Sequence, residues 1–278
     1  MKYLILLFIA SSVFGFNYNL SMNEIKNGET AIIKFEKDAN IIYESIEILG
    51  QKYEVYDNYA LVPISYYEEP KVADLFVHYI DNKKQKTKTI KIKIIDGEYK
   101  KERIHVQKSK VELSKKDKKR AAIEYKEAID IYNSCSDTSY VSSEFIMPLN
   151  SKITSDFGKA RVYNDTLKGY HSGTDFRAKV GTPLVSSNDG IVVLVKDRFY
   201  SGGSVVIDHG YGVYLCYYHM SSFDVEVGQK IKKGQVIGLS GDTGRVTGPH
   251  LHFSARVGGV QVDPLQLVNL LNENILRK

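Results

Sequence analysis

The sequence predicts a mainly β protein in three parts: a small N-terminal β-sandwich, a linker helix, and a compact antiparallel β-sheet or barrel-like unit at the C-terminus. Three observations carry this. Short apolar runs separated by turn residues fill the chain up to about Ile95, the pattern of a small sandwich. After a basic segment, one stretch repeats apolar residues at helical spacing. From about Phe145 onward, short apolar segments alternate with glycine-bearing turns, as short antiparallel strands do. At 278 residues the chain is long enough for one large or two ordinary domains.

The N-terminus opens with Met1-Lys2, an apolar run from Tyr3 to Ala10, and small residues up to Gly15. This is the pattern of a secretory signal peptide over residues 1–15. The run is too short to span a bilayer, and no cysteine lies near the expected cleavage point. The expectation is an exported chain, periplasmic, with no stable membrane insertion once the signal is removed.

Residues 16–98 read as the N-terminal β-domain. Ala31 to Lys37 is a short apolar run bounded by turn signals. Val72 to Ile80 and Thr87 to Ile95 flank Asp81-Asn82-Lys83-Lys84, which reads as a hairpin. In the second arm Ile90, Ile92 and Ile94 alternate with Lys91 and Lys93, marking a half-buried strand. His78 lies inside a strand run and reads as a packed or surface histidine.

Residues 99–144 read as a basic linker. It is rich in lysine and arginine between Lys100 and Arg120, includes His105, and carries a helix from about Lys115 to Tyr132. Ser114 followed by Asp117 marks the helix start as a variant capping box. Ala121, Tyr125, Ala128 and Tyr132 are expected to form its packed face. The net charge of +5 is mild; it suits an anionic partner such as a cell wall, and no nucleic-acid-binding signature accompanies it. Cys135 and Cys216 could form a disulfide in an exported chain, but they sit in different units and so read as two buried free thiols; neither has the neighbours of a zinc-binding pair or a nucleophile.

Residues 145–278 read as the C-terminal unit, ending in a helix from Pro264 to Leu276. Chemistry-bearing residues gather here. His250 and His252 stand two apart at the start of a strand, so both point to one face about 7 Å apart. His171 and Asp175 flank Gly173, whose presence argues for a turn that brings both side chains together. His219 closes the apolar run from Val213 to Tyr218. Imidazole and carboxylate suit zinc, and three protein ligands with water make a catalytic site. Each spacing alone is weak; together they point to a metal centre. His209 reads as a turn histidine, and Asp208 and Asp242 are left open as supporting groups.

These segments carry a clear resemblance. Asp156-Phe157-Gly158-Lys159-Ala160-Arg161, His171-Ser172-Gly173-Thr174-Asp175, Gly181-Thr182-Pro183-Leu184-Val185, Tyr218-His219-Met220, Gly241-Asp242-Thr243-Gly244 and Gly248-Pro249-His250-Leu251-His252-Phe253 resemble, in order and spacing, the lysostaphin/LytM-type zinc endopeptidases of peptidoglycan. The match runs over about residues 147 to 267. The remainder resembles exported bacterial members with an N-terminal β-domain.

The resemblance implies a zinc ion held by His171, Asp175 and His252, with His219 and His250 as catalytic histidines. It implies a compact antiparallel sheet with a groove over the metal. Met220, Ser186 and Ser254 depart from the usual pattern, but none replaces a ligand. The implied substrate is peptidoglycan, cut at a peptide cross-link, with D-alanyl–diaminopimelate as the expected bond. Proton transfer falls to His250, since no H-E-x-x-H glutamate is present, and His219 assists or stabilises the oxyanion. The alternatives are a silent regulator or wall-binding module of the same fold, or a zinc D,D-carboxypeptidase. A separate β-domain ahead of such a groove also raises intramolecular occlusion as an expectation.

Overall fold

The computed structural model describes residues 16–104, 113–163 and 167–277. The expected signal peptide, and the middle of the basic segment with His105, lie outside the described residues.

The N-terminal unit contains β1 (Tyr18–Leu20), β2 (Glu24–Lys26), β3 (Thr30–Phe35), β4 (Ile41–Ile48), β5 (Gln51–Glu54), β6 (Tyr59–Pro63), β7 (Lys71–Asp81) and β8 (Lys84–Ile95). They form a three-stranded sheet, β1-β3-β6, and a five-stranded sheet, β2-β8-β7-β4-β5. The two sheets share a core that includes Ile33, Phe35, Ile46, Leu75, Val77 and Ile92. The β7–β8 hairpin turns through Asn82 and Lys83, with φ of 47° and 65°. Positive φ at both central residues is what a tight turn of matching twist requires. In β8 Ile90, Ile92 and Ile94 are buried and the intervening Lys91 and Lys93 exposed.

β3 explains its own composition. Ile33 and Phe35 face the sandwich core, whereas Ile32, with Leu61 of β6, joins the core of the C-terminal unit. A strand covered on both faces reads as a continuous apolar run rather than an alternation. The Gln266 side chain donates to the Thr30 carbonyl (2.8 Å) and accepts from its amide (3.0 Å). The Asp263 amide donates to the Gly28 carbonyl at 2.7 Å. The two units therefore pack through a common core.

The basic segment is not all linker. It contains β9 (Lys101–Ile104) and α1 (Lys115–Tyr132), and the C-terminal unit then opens with β10 (Ile153–Ser155), β11 (Ala160–Tyr163) and β12 (Leu167–Tyr170). β9 pairs in parallel with β11, which pairs antiparallel with β12. The Ser114 hydroxyl caps α1 by accepting from the Asp117 amide at 3.1 Å. The buried face of α1 is Glu124, Ala128 and Tyr132; Tyr125 is exposed, contrary to the sequence expectation. Glu124 takes that place because its carboxylate is satisfied by the Arg120 guanidinium (2.6 Å) and the Phe199 amide (2.8 Å). Ala128 and Tyr132 pack on Val206, Tyr214 and Cys216 of the large sheet.

That sheet is completed by β13 (Thr174–Arg177), β14 (Pro183–Val185), β15 (Gly190–Arg198), β16 (Gly202–Asp208), β17 (Val213–Phe223), β18 (Lys230–Ile231), β19 (Val236–Ser240), β20 (His250–Val257) and β21 (Val260–Val262). Its order is β10-β13-β20-β17-β16-β15-β18, with β14, β19 and β21 off this path. α2 (Pro264–Leu271) is capped by Asp263 and continues into one π-helical turn, Asn272–Leu276. Both cysteines are free thiols; Cys216 is buried in β17, but Cys135 is exposed rather than buried as expected.

Candidate metal centre

β13 and β20 are antiparallel neighbours, with Asp175 opposite His252 and Arg177 opposite His250. β17 flanks β20 on its other side, with Tyr218 opposite His252. This register places His219, the next residue, beside the same site. His171 precedes β13 and reaches in across a bend at Gly173. Asp175 itself lies inside the strand, so one bend followed by a strand replaces the turn the spacing suggested. A Cβ at Gly173 would stand 2.3 Å from the Phe253 carbonyl oxygen and 2.7 Å from His252 Nε2. Glycine is required there by close approach to β20.

The three donors converge. Asp175 Oδ1 lies 2.8 Å from His171 Nε2 and 2.8 Å from His252 Nδ1, and the two nitrogens are 3.0 Å apart. All three side chains are buried. Ligands about 2.0–2.2 Å from a tetrahedral zinc stand roughly 3.3 Å apart, a few tenths of an ångström from these spacings. His171 Nδ1–H donates to the Asp156 carbonyl at 2.7 Å, which leaves Nε2 bare for a metal. Burial alone would raise the Asp175 pKa. Hydrogen bonds and charge from His171 and His252 outweigh it and hold the carboxyl well below the usual carboxylate range. Burial pushes His252 down to about 4 against the pull of Asp175. An anionic carboxylate and neutral imidazoles are the ligating forms, so the donor set fits zinc.

The other two histidines stand beside this triad. His250 Nδ1–H donates to the Gly248 carbonyl at 2.8 Å, and its Nε2 is 3.6 Å from Asp175 Oδ1. His219 Nδ1–H donates to the Thr243 carbonyl at 2.8 Å. A carbonyl only accepts, so in each ring Nδ1 carries the hydrogen of that bond and Nε2 is the nitrogen left for the groove. The two rings are 4.8 Å apart between centroids. His219 has a φ of 63°, a left-handed conformation uncommon for a non-glycine residue. Burial first, then the neighbouring His252 and His250, hold its pKa well below the usual histidine value.

A groove of about 520 Å³ opens over the cluster, lined by Glu102, Arg161, His219, Arg245 and His250 among others. A larger cleft of about 820 Å³ lies at the seam between the units, but none of the triad lines it. The remaining candidates sit elsewhere. His78 contacts Thr87 in the N-terminal sheet. His209 is buried with Nδ1–H donating to the Asp189 carbonyl at 2.7 Å. Asp208 accepts from the Gly210 amide, and Asp242 is exposed; neither lines the groove.

Two neighbours of the triad went unassigned in the sequence. Arg161 Nη2 is 3.5 Å from Asp175 Oδ2, and Glu102 Oε2 accepts from Arg161 Nε at 3.2 Å. Arg161 belongs to a segment that carries the resemblance. Glu102 has no local signal, because only the β9–β11 pairing brings it there.

Residues 169–264 match the model of Peptidase family M23. This region is a peptidase family M23 domain. Over 122 residues, 43% of its length, the chain is 45% identical to the peptidoglycan DD-endopeptidase ShyA of Vibrio cholerae, of which it covers 28%. The DD-carboxypeptidase/endopeptidase Mpg of Neisseria meningitidis is 41% identical over 97 residues, 35% of this chain and 22% of the relative. The chain thus spans less than a third of these relatives' length. A crystal structure described as a putative peptidase M23 from Pseudomonas aeruginosa covers 87% of this chain and 93% of its own, at a TM-score of 0.67 and 24% identity, and shows the fold. The five histidine and aspartate residues of the site all fall within the M23 domain.

Proposed function

We propose that the chain is a zinc metalloendopeptidase that hydrolyses peptide cross-links of peptidoglycan in the periplasm, at the D-alanyl–diaminopimelate bond. The observation that carries this is the meeting of His171, Asp175 and His252 at one point, beside His219 and His250, in the floor of an open groove. The DD-endopeptidase relatives support the choice of bond.

His171, Asp175 and His252 would hold the metal. Bound zinc supplies Lewis acidity, making water nucleophilic near neutral pH and polarising a carbonyl. His250 takes up and returns the proton at Nε2, held for that by its Nδ1–H bond to Gly248. His219, its Nδ1–H tied to the Thr243 carbonyl, points into the same groove and assists that transfer or stabilises the oxyanion. The intact site speaks against a silent regulator.

A D,D-carboxypeptidase activity is the second reading, favoured by the likeness to Mpg. Digesting purified sacculi and identifying the products by mass spectrometry separates the readings. Loss of cross-linked dimers supports an endopeptidase. Loss of only the terminal D-alanine supports a carboxypeptidase, and an unchanged wall overturns both.

We extend the proposal to intramolecular control. Glu102 and Arg103 on β9, outside the M23 domain, stand in the wall of the groove. If β9 limits access, Arg103→Ala speeds wall digestion at unchanged zinc content. An unchanged or lower rate on wall rules this form of occlusion out.

A further inference from the structure

We propose that Arg161 is a positioning residue for the metal ligand Asp175, and that Glu102, from outside the M23 domain, holds Arg161 in place. The inference rests on the reading above only in taking His171, Asp175 and His252 as ligands.

The two oxygens of Asp175 have different surroundings. Oδ1 lies 2.8 Å from both His171 Nε2 and His252 Nδ1. Oδ2 faces Arg161 Nη2 at 3.5 Å. A carboxylate free to rotate can offer a metal either oxygen or both. A guanidinium on one oxygen leaves the other turned to the imidazoles. Both side chains are largely withdrawn from water, at 14% exposure for Arg161 and 10% for Asp175. A buried carboxylate needs its charge matched, so this pairing is not an incidental surface contact.

Arg161 also reaches toward the second ligand. Its Nη2 donates to Ser155 Oγ at 3.3 Å, and that oxygen is 3.2 Å from His171 Nδ1. One guanidinium thus contacts Asp175 directly and His171 through one hydroxyl. Its orientation is set from the opposite side, where Nε donates to Glu102 Oε2 at 3.2 Å. Glu102 stands beside Arg161 in the parallel β9–β11 register. A planar fork with several fixed donors can serve Glu102, Ser155 and Asp175 at once; a lysine ammonium lacks that geometry. The segment before α1 therefore completes the surroundings of a metal centre in the C-terminal unit.

The test uses the full chain and reads zinc affinity by competition with a chromogenic chelator, alongside wall digestion. Groups that orient metal ligands typically contribute about 10–100-fold to metal affinity or activity. Arg161→Ala is expected to weaken zinc binding by about that factor. Arg161→Lys recovers only part of it, and the near-isosteric Glu102→Gln weakens binding less than Arg161→Ala. A purely structural role would lower the melting temperature and leave the zinc affinity of the folded protein unchanged, which overturns the proposal. If Arg161→Ala does not fold, unchanged affinity in both Arg161→Lys and Glu102→Gln overturns it. The two readings fail separately. Weakened zinc binding in a chain that never cuts wall leaves the positioning role standing and removes the proposed function. Normal wall cleavage with unchanged affinity in every variant does the reverse.

Discussion

Asp175 and His252 stand directly opposite one another in the β13–β20 ladder, with Oδ1 of the one 2.8 Å from Nδ1 of the other. Strand register, rather than loop conformation, thus sets two of the three donors. A ladder slip of one residue would turn one partner to the other face. The site is as rigid as the sheet that carries it, which suits a preformed metal centre.

Gly173→Ala tests that closeness. The added Cβ would meet the Phe253 carbonyl oxygen at 2.3 Å, and backbone cannot move aside as a side-chain tip can. β13 must shift from β20, at a cost of about 1–3 kcal/mol by analogy with overpacked cores. Thermal melting should show the loss of stability, and zinc titration a weaker site. Unchanged values in both would mean that the two strands separate freely.

His219→Ala should keep the metal and slow turnover. The residue is no part of the triad, and general acid–base help is typically worth about 10²–10⁴-fold. Zinc content and wall digestion measured together check this. Loss of zinc would make His219 a ligand; full activity would confine it to packing.

His209 gives a pH dependence away from the metal. Burial depresses its folded pKa to about 4 from the ordinary 6.5. A buried neutral histidine favours the folded state above the unfolded pKa and disfavours it as the unfolded chain takes up a proton. Stability should be full above pH 6.5, fall by about 3 kcal/mol towards pH 4, and level off below. His209→Gln should flatten that part of the profile in denaturant titrations. A variant with the same slope as the parent would contradict the assignment.

The shared core predicts one unfolding transition. Ile32 belongs to the N-terminal sheet yet is buried in the core of the C-terminal unit. Ile32→Ala should cost about 2–5 kcal/mol. Fluorescence and circular dichroism should report it as a shift of a single transition. Two separate transitions, with only one moved, would show that the units unfold independently.

Much of this was legible in the sequence. The alternation in β8 and the spacing of His250 and His252 follow from side-chain direction in a strand, which is local. Ser114 as the start of α1 is likewise local chemistry. The face of α1 was misjudged because a glutamate looks polar until its partners, Arg120 and the Phe199 amide, are known. Two-sided burial of β3 was visible only as an apolar run, since the second covering layer comes from distant residues. The same limit hid Glu102. Its place beside Arg161 depends on a parallel pairing between segments 59 residues apart.

The most direct test takes the two histidines of one strand together. Zinc stoichiometry and cross-link cleavage are measured on His250→Ala and His252→Ala. His252→Ala should lose the metal, and with it activity, because it removes one of three donors. His250→Ala should bind one zinc per chain and lose most turnover, because it removes only proton transfer. If His250→Ala lost zinc and His252→Ala kept it, the roles would be exchanged. If both kept zinc and full activity, the strand would be structural and the catalytic site would lie elsewhere.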